Sequence, residues 1–133
     1  MYKNEAVFRG ALVTVLRNKG WEVQPIEVGG INCGVPDLYM IKNGVEIWAE
    51  LKNMYQCAKN LLTIDFRKGQ QAWLYRHAKQ GGISAVIIAT SDWIVVHRYR
   101  ELLKNDTLLL TRQDVMLCKT SNISSILEGI KEL

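Results

Sequence analysis

The sequence predicts a mixed α/β domain in which a β-sheet is flanked by helices. Three observations predict it: an amphipathic stretch at residues 4–19, a set of β-rich segments broken by Asn43-Gly44, and an unbroken apolar run at residues 85–90 that follows a second helical stretch. The order of elements reads α, β, β, β, α, β, β. In the first helix Val7/Phe8, Ala11/Leu12 and Val15/Leu16 form an apolar stripe, Asn4 supplies the N-cap and Gly20 ends the helix. Trp21 to Val28 alternates as a strand does, and Pro25 assigns it to an edge or a bulge, because proline has no N–H for a central ladder. Gly29 to Gly34 is a flexible approach able to lie close to a backbone phosphate.

A hairpin over residues 36–52 comes next. Asn-Gly between two β-rich runs calls for a two-residue type I′ turn, since both central positions need positive φ. With Asn43 and Gly44 as the loop, Lys42 pairs with Val45, Ile41 with Glu46, Met40 with Ile47, Tyr39 with Trp48 and Leu38 with Ala49. Asp37 then falls opposite Glu50, and Lys52 returns to the same face two residues later. The other face, Val45, Ile47, Ala49 and Leu51, is apolar and is expected to pack on a helix.

Beyond the hairpin the chain is less regular from Met54 to Lys68. Gly69 to Gln80 reads as a helix stopped by Gly81-Gly82. Ala85 to Thr90 reads as a strand buried on both faces, and Ser91-Asp92 turns it into a strand over residues 93–98. A helical turn near 100–104, the Leu108-Leu109-Leu110 segment and a terminal helix near 122–132 complete the chain.

At 133 residues the chain makes one domain, residues 1–133, with a sizeable core. An apolar fraction of 48% describes a globular protein. A net charge of +4 and a pI of about 9.0 favour a polyanionic partner without establishing one. No apolar run approaches the ~20 residues of a membrane span, and the polar start is not a signal peptide. Cys33, Cys57 and Cys118 are odd in number and lack metal-ligand spacing, so a reduced cytoplasmic location is expected. Cys33 reads as a bystander, because neither His77 nor His97 is near it in sequence.

The pairing of Asp37 with Glu50 carries the chemistry. Two carboxylates about 5 Å apart repel by roughly 3 kcal/mol at an effective dielectric near 20. Either one is protonated or a cation lies between them. A hard divalent ion such as Mg²⁺ takes carboxylate oxygens, waters and substrate phosphates. With the Lys52 ammonium alongside, this arrangement suits metal-assisted phosphodiester hydrolysis.

Pro36-Asp37 followed after a gap by Glu50-Leu51-Lys52 resembles the PD-(D/E)XK nuclease motif. The wider pattern resembles a stand-alone phage-type VRR-NUC domain: Glu5 in the first helix, Gly29-Gly30 leading to Gly34-Val35-Pro36-Asp37, Ala49-Glu50-Leu51-Lys52, and Gly69-Gln70-Gln71-Ala72-Trp73. It covers about residues 5–98. The spacing of Glu5, Asp37, Glu50 and Lys52 is also similar to that of archaeal Holliday-junction resolvases. The resemblance implies a restriction-endonuclease-like core in α-β-β-β-α-β order and a Mg²⁺- or Mn²⁺-dependent endonuclease. Its DNA substrate would be branched or duplex, in phage or mobile-element replication and repair. It implies Asp37, Glu50 and the Leu51 carbonyl as metal ligands and Lys52 as the catalytic lysine. Glu5 would bind a metal-bound water or a second ion, and Gln70 would reach the site from its helix. A one-residue shift would exchange Gln70 for Gln71.

Plainer readings stand beside these. Glu5 is also an acid favoured by a helix N-terminus, and Gln70 a surface residue at a helix start. Arg67, Lys68, Arg76 and Lys79 would contact phosphates without reading sequence, or serve solubility alone. Trp48, Trp73, Tyr75 and Trp93 read as core more readily than as base-stacking groups, and His77 as a surface histidine. Rival functions are a nuclease-fold DNA-binding protein that cleaves nothing and an RNA-directed nuclease of the same fold. Paired nicks would call for a homodimer, with residues 107–133 either forming its surface or packing on the core.

Overall fold

The computed structural model describes residues 2–27, 34–53, 61–90, 93–100, 107–111, 116–119, 130 and 133. The glycine-rich approach up to Cys33, residues 54–60 with Cys57, the Ser91-Asp92 turn, the helical turn near 100–104 and most of the terminal helix lie outside them.

Helix α1 spans Glu5–Asn18. The Asn4 side chain accepts a hydrogen bond from the Val7 N–H at 2.9 Å, satisfying one of the donors that a helix start leaves open. Asn4→Ala should cost about 1 kcal/mol, measurable as a lowered denaturation midpoint with unchanged slope. Phe8, Leu12, Val13 and Leu16 form the buried stripe. Val7 departs from expectation and is 47% exposed, because the buried arc turns toward Val13.

Strands β1 (Glu22–Pro25), β2 (Leu38–Lys42) and β3 (Val45–Asn53) form an antiparallel meander. Pro25 closes β1 at the edge of the sheet, where its missing N–H costs no ladder bond. The β2–β3 register runs from Lys42↔Val45 to Leu38↔Ala49, as the turn requires. Asn43 and Gly44 both have positive φ, 50° and 79°, the type I′ signature. On the apolar face Ile47, Ala49 and Leu51 are buried with α1, but Val45 at the hairpin tip is 45% exposed, beyond the reach of that helix.

Strand β4 (Leu61–Asp65) is a correction, since the sequence read as irregular there. It pairs antiparallel with β7 (Thr107–Thr111) in a separate two-stranded sheet. Helix α2 (Gln70–Lys79) then carries the chain to β5 (Ile83–Ala89), which lies parallel to β3, as a crossover connection permits. Strands β6 (Trp93–Arg98) and β8 (Met116–Lys119) add antiparallel, giving a mixed six-stranded sheet in the order β1-β2-β3-β5-β6-β8.

Both faces of this sheet are covered. Ala85, Ile87 and Ala89 join the α1 core, whereas Val86 and Ile88 face Leu74 of α2 with Phe66 and Tyr99. The apolar run of β5 from Ala85 to Ala89 is the consequence, and the buried Ser84 hydroxyl before it donates to the Leu74 carbonyl at 2.8 Å. Of the described residues after β6, β8 extends the sheet, Ile130 is buried with α1, and the Leu133 carbonyl accepts from Arg98. Among the described residues no helix is long and apolar enough to cross a membrane.

Candidate metal centre

The site forms where β2 has just begun and β3 is ending. Asp37 precedes β2 by one residue, and its backbone carbonyl accepts from the Ile26 N–H at 2.8 Å, tying it to the end of β1. Its Oδ2 accepts from the Leu51 N–H at 2.8 Å. A strand residue directs its N–H and C=O to the same side, so the Leu51 carbonyl is also aimed toward Asp37. Glu5 from the first turn of α1, Asp37, Glu50, Lys52, Arg67 and Gln70 line one cleft of about 180 Å³, with Ile26 and Val35 as its apolar wall.

Glu50 is 2% exposed. Its Oε1 accepts from Gln70 Nε2 at 2.8 Å and lies 4.0 Å from Lys52 Nζ. Burial, then the adjacent Asp37 carboxylate, raises its pKa from 4.5 to about 9, with Lys52 offsetting part of the shift and Glu5 adding to it. The Asp37 carboxylate beside it favours the protonated acid. Once ionised it has a buried Oε2 with no hydrogen-bond donor. Glu5 is raised too, first by burial and then by Asp37, against the lowering effects of Lys52, Arg67 and Arg9.

Gln70 links the groups. Its Oε1 accepts from the Arg67 backbone N–H at 2.7 Å and from Lys52 Nζ at 3.1 Å, which leaves its Nε2 to donate to Glu50. Gln71 points elsewhere and accepts from the buried Tyr99 hydroxyl. Of the two glutamines, Gln70 faces the cleft. Lys52 also lies 5.6 Å from the centre of the Phe66 ring, a cation–π contact no sequence pattern indicated.

The basic residues divide. Arg67 lines the cleft, Lys68 is exposed beside it, and Arg76 and Lys79 are exposed farther along α2. Tyr39, Trp48, Trp73 and His77 form a half-buried aromatic row next to the site, with successive ring centres 4.9, 5.0 and 5.3 Å apart. His77 is not the surface residue expected: it stacks on Trp73 and its Nε2 is buried.

The donor set suits a hard cation. Among the described residues no three His, Cys, Asp or Glu side chains gather into a complete metal shell. Two carboxylates and one carbonyl, with a buried oxygen lacking a donor, make the partial shell that Mg²⁺ uses when waters and phosphates supply the rest.

Sheet order and flanking helices give the chain a mixed α/β, restriction-endonuclease-like fold. Its structure is similar to that of Hjc of Archaeoglobus fulgidus, a Holliday junction resolvase from an archaeal hyperthermophile, with a TM-score of 0.62 and 11% identity, covering 88% of this chain and 97% of that chain. No family model matches the chain, and no curated protein does.

Proposed function

We propose that this chain is a single-domain, divalent-metal-dependent endonuclease of the VRR-NUC kind that hydrolyses DNA phosphodiester bonds at branched or otherwise structured sites. The observation that carries this reading is the placement of Glu50: its buried Oε2 has no hydrogen-bond partner and its carboxyl stands beside that of Asp37, so that ionising it is costly unless a cation joins the two. The likeness to a Holliday junction resolvase supports the substrate class.

Asp37, Glu50 and the Leu51 carbonyl would hold Mg²⁺ or Mn²⁺. When bound, the ion supplies Lewis acidity at the scissile phosphate. Lys52, oriented by Gln70, would donate from its ammonium to orient the attacking water and offset charge on the phosphate, the water's proton passing to solvent. Glu5 orders water from the α1 side of the cleft. Arg67 and Lys68, with Arg76 and Lys79 farther out, hold flanking phosphates and make binding salt-dependent. Two protomers would serve paired nicks at a symmetric junction.

Side-by-side digestion of a four-way junction, a linear duplex and an RNA of the same sequence tests the proposal. Cleavage is expected with Mg²⁺ or Mn²⁺, fastest on the junction, and absent with chelator. Equal rates for wild type and Asp37→Ala, or cleavage of RNA alone, would remove it.

A further inference from the structure

Gly34 has φ +77° and lies against the start of α2. A Cβ built on it would stand 2.3 Å from the Gly69 carbonyl oxygen, 2.4 Å from the Gly69 carbonyl carbon and 2.9 Å from the Gln70 nitrogen. All three are backbone atoms, so no flexible side chain can give way. The open side of this glycine faces a carbonyl oxygen, which does not receive a phosphate.

Which partner would yield follows from the anchors. Three residues beyond Gly34, Asp37 is fixed by its carbonyl to Ile26 and by its Oδ2 to Leu51, each at 2.8 Å. The Gly69 carbonyl is the first acceptor of α2, taking the Trp73 N–H at 3.0 Å, and the Gln70 N–H bonds the Arg67 carbonyl at 3.1 Å. A carbon at position 34 therefore displaces the first turn of α2 as a unit, by roughly 1 Å, a shift of the size that costs on the order of 10²-fold in rate.

We infer that Gly34 is a positioning residue: its bare backbone seats the start of α2 at the distance that lets Gln70 reach both Glu50 and Lys52. Gly34 touches no reacting atom. It acts through Gln70, whose side chain bridges Glu50 at 2.8 Å and Lys52 at 3.1 Å. Its effect on metal binding and cleavage rests on the function proposed above, whereas its effect on Gln70 does not.

Gly44 and Gly81 provide the controls. Each has positive φ, 79° and 92°, with nothing within 4 Å of the place a Cβ would occupy. Gly44→Ala and Gly81→Ala therefore impose the same kind of backbone strain without the wedge. The decisive measurement is side-chain amide exchange of Gln70 by NMR in metal-free protein, with Gln71 as internal reference. In Gly34→Ala the Gln70 amide should exchange at least ~10-fold faster through local opening, while both controls leave it unchanged. Mn²⁺ affinity should fall in Gly34→Ala alone, and kcat by about 100-fold.

Should Gly34→Ala fail to fold, wild type and all three variants are compared in a stabilising osmolyte such as sucrose, which favours the folded state without altering the site. Unchanged Gln70 exchange in Gly34→Ala, or equal acceleration in Gly44→Ala, overturns the inference whatever the metal result. Wild-type protein that binds no Mn²⁺ overturns the proposed function and leaves the Gln70 comparison intact.

Discussion

Lys52→Ala is expected to leave a folded protein whose DNA cleavage is slower by roughly 10³-fold or more. Its ammonium lies 4.0 Å from Glu50, and Gln70 holds it at 3.1 Å. Removing it takes away the cation placed to orient the attacking water and offset charge on the phosphate. It also removes the charge that holds the Glu50 pKa down, so Glu50 retains its proton more firmly and competes with a cation. Single-turnover cleavage of a four-way junction, alongside circular dichroism to verify the fold, measures the effect. Higher pH should recover part of the Mn²⁺ affinity of the variant and little of its rate, because deprotonating Glu50 does not replace the ammonium. A variant as fast as wild type would contradict the role given to Lys52.

Glu50→Gln should separate stability from function. In metal-free wild type Glu50 keeps its proton to about pH 9, against 4.5 as its ordinary value. Between those values the folded state binds more protons than the unfolded one. Its contribution to stability is therefore full below about pH 4.5 and is lost as pH rises toward 9. The substituted amide is neutral throughout and keeps an oxygen for Gln70 Nε2. The variant should match wild type near pH 5 and exceed it near pH 9 by an amount on the order of 2–4 kcal/mol. Mg²⁺ should stabilise wild type at pH 8 and leave the variant unaffected. Chemical denaturation at several pH values, with and without Mg²⁺, reads all of this. A wild-type curve that rises from pH 5 to pH 9 would contradict the buried, proton-holding carboxylate.

The hairpin was legible because its determinant is local. Asn43-Gly44 admits one tight turn, the turn sets the register, and the register brings Asp37 to Glu50. The Asn4 cap, the Pro25 edge position and the doubly buried β5 were legible for the same reason, since each follows from residues within one element. Strand β4 was not. Leu-Leu-Thr-Ile-Asp is a short apolar run that becomes a strand only through β7, more than 40 residues later. Side-chain burial at element ends was also hidden: Val7 and Val45 carry the right pattern but lie past the surface that covers their neighbours.

Within the site, periodicity gave Asp37, Glu50 and Lys52 one face, and the family resemblance brought in Glu5 and Gln70. The bridging of Glu50 and Lys52 by Gln70 could not be read in sequence, because it depends on where α2 begins relative to β3. The role of Gly34 was hidden for a related reason. A glycine that approaches a phosphate and one that seats another backbone have the same letter and differ only in what faces them. The pairing of His77 with Trp73 depends likewise on packing against β3 through Trp48.

The central claim is that Asp37 and Glu50 share one divalent cation whose arrival expels the Glu50 proton. Calorimetric titration of Mn²⁺ into metal-free protein at pH 7.5, in buffers of differing ionisation enthalpy, tests it most directly. The account predicts saturable binding with release of about one proton per protein, and loss of both binding and release in Asp37→Asn and Glu50→Gln. No binding by wild type, or binding that persists unchanged in these two variants, would contradict it.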